Sequence, residues 1–422
     1  MAANNLLTIS MITNEALRVL QNQLVFTRAV SRQYDDKFAI EGAKIGTTIN
    51  LRKPPRYVGR TGAVLQIESS VETNVPLTLD TQFGVDMAFT TQDLTLNISD
   101  FSDRFIKPAV AAIANKIDYD GLQQFYNIFN MVSTPGQLTD GATTQAEATA
   151  SILAARARLN QMAAPVDDER HFVVDPTVEV GIVSGLTNFF NPQGTISRIF
   201  QKGALGDSTL GFNFAMDQNV GNFTAGTFRV GTDSMTTKSG GEAGGSVQNN
   251  AQTGFTMTAT ITNTYTLTKG TVFTIPGVYA VNPQNRQSTG SLMNFTVTST
   301  VTGTGSPQSV SIFPVPVFSG QFQNVTSSTG AIPSSQACTI ISGSAGASYP
   351  NALAFHKDAF ALGTADLILP QGVDMAGRAS ADGLSIRLVR QYDINSDQLP
   401  CRLDVLYGWS TVYPELAVRV SG

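Results

Sequence analysis

The sequence predicts a mixed α+β chain in which a helical spine and a short α/β stretch frame a long all-β insertion. Three observations carry this. Residues 101–133 place Ile106, Val110, Ile113, Ile117, Gly121, Phe125, Ile128 and Val132 three to four positions apart, the period of one helix face. Near residue 222 the composition changes. From there to about 348 the only charged residues are Arg229, Lys238, Lys269, Arg286, Asp233 and Glu242, in a text of Thr, Ser, Gly, Val and Phe. Within it FTMTATITNTYTLT alternates Phe255, Met257, Ala259, Ile261, Tyr265 and Leu267 with threonines, the period-2 signature of a half-buried strand.

Taken from the N-terminus, Ile12, Ala16, Val19, Leu20, Leu24 and Val30 give residues 10–38 a helical period, an amphipathic arm. IGTTINL then alternates, INLRKPPRYVGRTG breaks at Pro54 and Pro55, and SSVETNVPLTLDTQFGVDMAFT alternates again. Two extended arms around an irregular tip describe a long β-hairpin, and a two-stranded ribbon is marginal alone in water. It needs something to lie on. The spine follows, with Ser99, Asp100 and Ser102 as N-cap candidates and Pro108 in the first turn; the part beyond Pro108 would span about 35 Å. AEATASILAARARLNQMAAP is a second amphipathic helix stopped by Pro165, HFVVD a short strand, and Asp175-Pro176 the start of a third helix, a β-then-α order that places an α/β domain at about 140–220. In the insertion, GTVFTIPGVYAV, MNFTVTSTV and SVSIFPVPVF add strands between Gly, Pro and Asn turns, the pattern of a small barrel. LGTADLILP, LSIRLVR and CRLDVLYGWSTV close the chain in strands.

A length of 422 residues predicts two or three domains, and 42% apolar residues suffice for sizeable cores. A net charge of -5 gives no global attraction to nucleic acid, so any basic patch is local. Cys338 and Cys401 form neither a disulfide framework nor a zinc pattern, and are read as buried thiols. The N-terminal text lacks a basic segment followed by an apolar one, and no run of 18 apolar residues occurs, so folding in a cytoplasm without a membrane partner is expected.

Chemistry is sparse. His171 and His356 have no HExxH or HxxxH neighbour, so no metal ligand and no cofactor is assigned. GxSxG, Walker A and a strand-coupled GxGxxG are missing, and SGGEAGGS at 239–246 lacks the Lys-Ser/Thr end of a phosphate loop. Asp35/Asp36 and Asp167/Asp168 are read as solvated turn residues. No catalytic residue is assigned, and an enzyme is not expected. What stands out is Arg52, Lys53, Arg56 and Arg60 gathered on the hairpin in a chain only 14% charged. Nucleic-acid binding, an ion-pair surface for another protein and plain solvation are its three readings. One aromatic, Tyr57, and nearby Glu68 and Glu72 favour the protein surface. Lys238 and Glu242 are the charged pair of the Gly-rich loop and join the candidates for a contact between subunits.

FTIPGVYAVNPQNRQSTG at 273–290, ADLILPQGVDMAGRAS, LSIRLVRQYDINSDQLPCRLDVLYGWSTVYPELAVRV, NLRKP at 50–54 and FSDRFIKPA at 101–109 are the stretches that carry a resemblance. Together, and in this order along nearly the whole chain, they resemble the HK97-fold major capsid proteins of tailed bacteriophages, and among those the P22-type coat proteins with an inserted β-barrel domain. The loop 231–254 has no close counterpart in the resemblance. It implies an N-terminal arm at 1–45, an extended loop at 46–90, a peripheral domain at 91–135 and 386–422, an axial domain at 136–221 and 349–385, and the inserted barrel at 222–348. It further implies a structural role: self-assembly, as hexamers and pentamers, of an icosahedral shell around double-stranded DNA, in the host cytoplasm, with a scaffolding protein and a portal, a decoration protein in some cases, and DNA held at the inner surface without sequence specificity. Arg52, Lys53, Arg56 and Arg60 would then lie on a hairpin laid across a neighbouring subunit. A β-rich surface adhesin, suggested by the Thr-rich strands, and a hydrolase with an unrecognised site are the competing classes.

Overall fold

A computed structural model describes residues 9–34, 48–90 except 66 and 69, 106–138 except 137, 145–186, 210–245, and 254–421 except 263 and 382. In chain order its principal elements begin with α1 (Ile9–Gln23), β1 (Ser31–Tyr34), β2 (Thr48–Lys53), β3 (Thr73–Thr78), β4 (Thr81–Thr90), α2 (Lys107–Leu122) and β5 (Met131–Val132). Next come α3 (Gln145–Gln161), β6 (Arg170–Val174), α4 (Pro176–Leu186), β7 (Asn213–Met216), β8 (Asn222–Thr224) and β9 (Met235–Thr237). The chain continues with β10 (Phe255–Ile261), β11 (Thr266–Leu267), β12 (Val272–Val281), β13 (Ser288–Val297), β14 (Val301–Thr302), β15 (Pro307–Phe313), β16 (Val325–Thr326) and β17 (Thr339–Ile341). The chain closes with β18 (Ser348–His356), β19 (Phe360–Ala365), β20 (Met375–Ala381), β21 (Leu384–Arg390), β22 (Gln398–Thr411) and β23 (Ala417–Ser421). Strands dominate this mixed α+β chain. It divides into two compact units, Met1–Asn50 with Pro76–Gly121 and Phe360–Ser410, and Leu51–Val75 with Leu122–Ala359 and Thr411–Gly422.

The first unit is built on a six-stranded sheet in the order β1-β19-β22-β21-β20, with β4 also paired to β22. The β4–β22 ladder runs antiparallel from Thr81 opposite Tyr407 to Thr90 opposite Gln398. Ala16 and Leu20 of α1, Leu24 just past its end, and Val110, Ile113 and Ile117 of α2 bury against Leu384, Ile386, Leu403 and Val405 of the sheet. At about 1.5–3 kcal/mol for each large aliphatic side chain removed from water, this cluster is what holds the two helices down. Asp118 of α2 sets the turn after α1: its carboxylate accepts the N–H groups of Val25 and Thr27 and the Thr27 hydroxyl, at 2.8, 3.0 and 2.6 Å. Gly121 is required by close approach, since a Cβ there would lie 2.5 Å from the Trp409 ring and 2.9 Å from Phe26.

Three expectations from the sequence are corrected here. The N-terminal helical period, read to residue 38, is realised only as far as Gln23, because the turn held by Asp118 leads into β1, which pairs in parallel with β19. The spine, read to Val132, ends as an α-helix at Leu122 and tightens into a 3-10 turn at Gln123–Asn127. Met131 and Val132 instead pair in parallel with Arg419 and Val420 of β23, a ladder that outweighs helical periodicity. The hairpin's second arm stops at Thr78: β3 pairs with β2, whereas β4 belongs to the β22 ladder. Ser99, Asp100 and Ser102 lie outside the described residues.

The second unit holds two large sheets. One, in the order β5-β23-β18-β6-β7 with β8 on β18, contains the expected α/β stretch. β6 and β7 pair in parallel with α4 between them, and Asp175 caps α4 by accepting the Thr177 N–H at 3.0 Å, one residue before Pro176 at the first helical position. Ile152, Ala155 and Leu159 of α3 and Val178 and Ile182 of α4 bury against Phe172, Val174, Ala354 and Val418. The other sheet is seven-stranded, β16-β12-β13-β15-β10-β9 with β17 on β12. Met257, Ala259 and Ile261, alternating along β10, are buried there with Phe273, Ile275, Phe295, Val310 and Ile312. Beyond the path itself, Thr237 N–H donates to Gln336 at 2.9 Å and Cys338 N–H to Met235 at 2.8 Å, linking β9 to the segment that enters β17. The two sheets are pinned together by Arg419 of β23, which donates to the Gly270 carbonyl at 2.8 Å, and by Asn294, which donates to the Met131 carbonyl at 2.9 Å. Burial lowers the Arg419 guanidinium to about 9.

Candidate functional site

The basic segment begins on β2, where exposed and half-buried residues alternate, so Arg52 faces outward and Lys53 inward. Pro54 and Pro55 then remove two successive backbone donors and end the pairing of the ribbon. The Lys53 ammonium sits 4.7 Å from the centre of the Tyr413 ring. Burial holds Lys53 below its ordinary value; Glu415 opposes that shift and Arg56 adds to it. Burial, with Glu415 next, raises the Tyr413 phenol. Arg56 Nη2 donates to Glu415 Oε1 at 2.8 Å, the two side chains being 30% and 12% exposed. Tyr413 and Glu415 are presented by the short 3-10 turn Pro414–Leu416 that leads into β23. Arg286 completes this root by donating to the Tyr57 carbonyl at 2.8 Å. A cavity of about 380 Å³ opens beside it, lined by Lys53, Pro55, Arg56, Tyr413, Glu415 and neighbouring side chains.

Beyond the root the segment changes character. Val58 N–H donates to Glu68 Oε2 at 2.6 Å and the Tyr57 hydroxyl lies 3.3 Å from Ser70 Oγ, two bonds that hold the loop against itself. Arg60 donates to the Gly62 carbonyl and stays exposed, and Arg52 approaches Glu72 only to 4.0 Å with both side chains largely in solvent. Pairs of that kind contribute about 0–1 kcal/mol. At the tip Val64, Leu65 and Ile67 are 78%, 73% and 88% exposed. Three apolar side chains close together in sequence are thus left in water.

The four cations thus divide: Lys53 and Arg56 join Tyr413 and Glu415 of their own chain, while Arg52 and Arg60 face solvent. Two outward cations make a poor phosphate track. Lys238 and Glu242 also part company. Lys238 is exposed, with its backbone N–H bonded to the Thr258 carbonyl. Glu242 is stitched into the insertion: its carboxylate accepts the Thr258 N–H at 2.9 Å and its backbone pairs with Ile332. Tyr413, Glu415 and Arg286 are partners of the basic segment that sequence reasoning missed; Arg286 stood in the sequence only as one of the six charges between 222 and 348.

The His356 ring, read as lacking ligand neighbours, lies beside Asp167, with Nε2 3.1 Å from Oδ2 across a gap of 189 residues. Asp167 is therefore not merely a solvated turn residue. Both thiols are inert: burial raises Cys338 to about 12 and Cys401 to about 11.

Compared with known families, the chain matches the model described as "P22 coat protein - gene protein 5" over residues 1–422. The chain belongs to the P22 coat protein family. It is accordingly a major capsid protein of a tailed bacteriophage, a structural component of the virion that forms the shell. Among solved structures it is similar to one from Mycobacterium phage Che8 (11% identity, 94% of this chain and 90% of that one, TM-score 0.45) and to the capsid structure of cyanophage P-SCSP1u (11%, 94% and 87%, TM-score 0.45). The asymmetric unit of the bacteriophage PhiM1 mature capsid is similar at 11% identity, over 94% of this chain and 86% of that one, with a TM-score of 0.44. A search of curated proteins finds no match. No helix among the described residues is long and apolar enough to cross a membrane.

Proposed function

We propose that this coat protein builds its shell as an HK97-like subunit whose hairpin is anchored on its own chain and covered by the next copy. The observation that carries this is the contrast within one loop: a root tied by Arg56–Glu415 and Lys53–Tyr413, and a tip that leaves Val64, Leu65 and Ile67 in water. A root fixed in this way sets the direction of the tip before assembly, so less conformational entropy is lost on docking. Many such modest interfaces, repeated around hexamers and pentamers, close a container.

The same reading takes 1–45 as the N-terminal arm, 46–90 as the extended loop, 91–135 with 386–422 as the peripheral domain, 136–221 with 349–385 as the axial domain, and 222–348 as an inserted barrel. The barrel is supported by the pairings that carry β12 through β13, β15, β10 and β9 to residues 336–338 and, through β17, back to β12. Scaffolding protein and portal are the assembly partners in this reading, a decoration protein an additional one, and packaged double-stranded DNA a non-specific neighbour of the inner face. Assembly takes place in the host cytoplasm and involves no catalysis.

The test is the double change Leu65→Asp and Ile67→Asp. Both residues are exposed, so the free chain keeps its thermal melt within experimental error. Electron microscopy of the purified protein is expected to show shells for the native sequence and few or none for the variant. Normal shells from the variant would overturn the covered-tip reading.

A further inference from the structure

At the end of β18 lies a cluster that the proposed assembly leaves unassigned. Donor atoms of Asp167, Glu169 and His356 all fall within 4.8 Å of one another. The antiparallel register that sets His356 opposite Arg170 brings the 167–169 turn alongside, and Lys357 N–H fastens it by donating to the Glu169 carbonyl at 3.1 Å. His356 is buried to 3% exposure, so its ring is locked; the Asp167 and Glu169 side chains are 44% and 49% exposed and can reorient once Asp167 Oδ1 gives up the Glu169 N–H, 3.1 Å away, and Glu169 gives up Lys357. One donor is rigid and two are adjustable.

We propose that Asp167, Glu169 and His356 form a binding site for a zinc-like divalent cation that straps the 167–169 turn to the end of β18. Zinc bound to imidazole nitrogen and carboxylate oxygen at about 2.0–2.2 Å requires donor separations of roughly 3.3–3.5 Å in a tetrahedron. The 3.1 Å between His356 Nε2 and Asp167 Oδ2 is already near that, and rotation of the exposed Glu169 carboxylate supplies the third ligand. Water fills the fourth position. Three protein donors including one nitrogen suit zinc and its transition-metal neighbours rather than calcium or magnesium, which take mostly oxygen in higher number.

The other face of the ring changes partners when a metal binds. Nδ1 accepts the Asp358 N–H at 3.3 Å and lies 3.6 Å from Asp358 Oδ2. With Nδ1 accepting that N–H, Nε2 is the ring nitrogen placed to donate to Asp167. When a cation takes the Nε2 lone pair the proton moves to Nδ1, the bond from the Asp358 N–H is given up, and the Asp358 carboxylate 3.6 Å away becomes the acceptor for the ring N–H, the carboxylate–histidine–metal arrangement that orients a ligand. Lys357 is the built-in competitor, with Nζ 3.0 Å from Glu169 Oε1. A metal must displace it.

That competition makes the site testable. Zinc chloride titrated calorimetrically into the untagged full-length protein is expected to show one site per chain. Asp167→Asn and Glu169→Gln each weaken it about tenfold or more, Lys357→Met tightens it several-fold, and His171→Asn and a calcium titration in place of zinc leave no trace of a change or of binding respectively. All variants sit on exposed or half-exposed side chains, and equal melting curves without zinc confirm that they fold. No zinc binding below 1 mM (on the order of 4 kcal/mol), equal affinity in all the variants, or loss on His171→Asn would overturn the proposal.

Discussion

The hairpin at 48–78 and the Thr-rich segment at 222–348 are written in similar text, alternating β-branched residues broken by Gly and Pro, yet they end differently. In the Thr-rich segment, strands pair on both sides, so Met257, Ala259, Ile261, Phe273 and Phe295 reach full burial. In the hairpin only β2 and β3 pair, and Val64, Leu65 and Ile67 remain in water. The difference teaches that alternation marks a face to be buried without saying what buries it. Inside one chain the answer is more strands. For the two-stranded ribbon, the answer in the proposed reading is another copy of the chain.

The sharpest way to break the comparison is to open the closed region. Phe295→Ala removes a fully buried ring whose centre lies 5.8 Å from that of Phe273, and should cost about 3–5 kcal/mol. Urea denaturation of the free chain reads this directly; a loss below about 1 kcal/mol would mean the sheet encloses no tightly packed core. The hairpin root comes next. Arg56→Glu sets two carboxylates where a pair now stands at 2.8 Å, in surroundings between exposed and buried, so a cost of about 2 kcal/mol is expected, together with fewer closed shells. The exchange Arg56→Glu with Glu415→Arg should restore most of both. Failure of the exchange to restore either would show that the pair's geometry rather than its charge holds the root.

Much of this was legible before any coordinates. The threonine alternation of 255–268, realised as β10 and β11, the Asp175-Pro176 helix start and the strand read at HFVVD, realised as Arg170–Val174, rest on local periods and caps. The misreadings share one cause. Val132 fits a helical period continued from Ile106, but pairing with Val420 is a non-local gain that a period cannot register. Glu415 and Tyr413 lie some 360 residues from the cations they meet, and Asp167 lies 189 from His356. Charge clustering revealed the hairpin as a site because it is local; its partners were hidden because sequence distance says nothing about them.

The smallest effect expected on the free chain is at the Gly-rich loop, where two charges read as equivalents are told apart by their bonds. Glu242 accepts the Thr258 N–H and belongs to the sheet's own hydrogen bonding, whereas the Lys238 side chain is exposed. Lys238→Glu should therefore shift the free chain's unfolding free energy by no more than about 0.5 kcal/mol. If the loop meets a neighbouring copy, the reversed charge will still be felt in the shell, because juxtaposed like charges across an interface suppress association even where each subunit is intact. Particle yield and the temperature at which shells dissociate are the measurements. Unchanged shells would leave the hairpin tip as the molecule's principal uncovered surface and confine the insertion to holding its own subunit together.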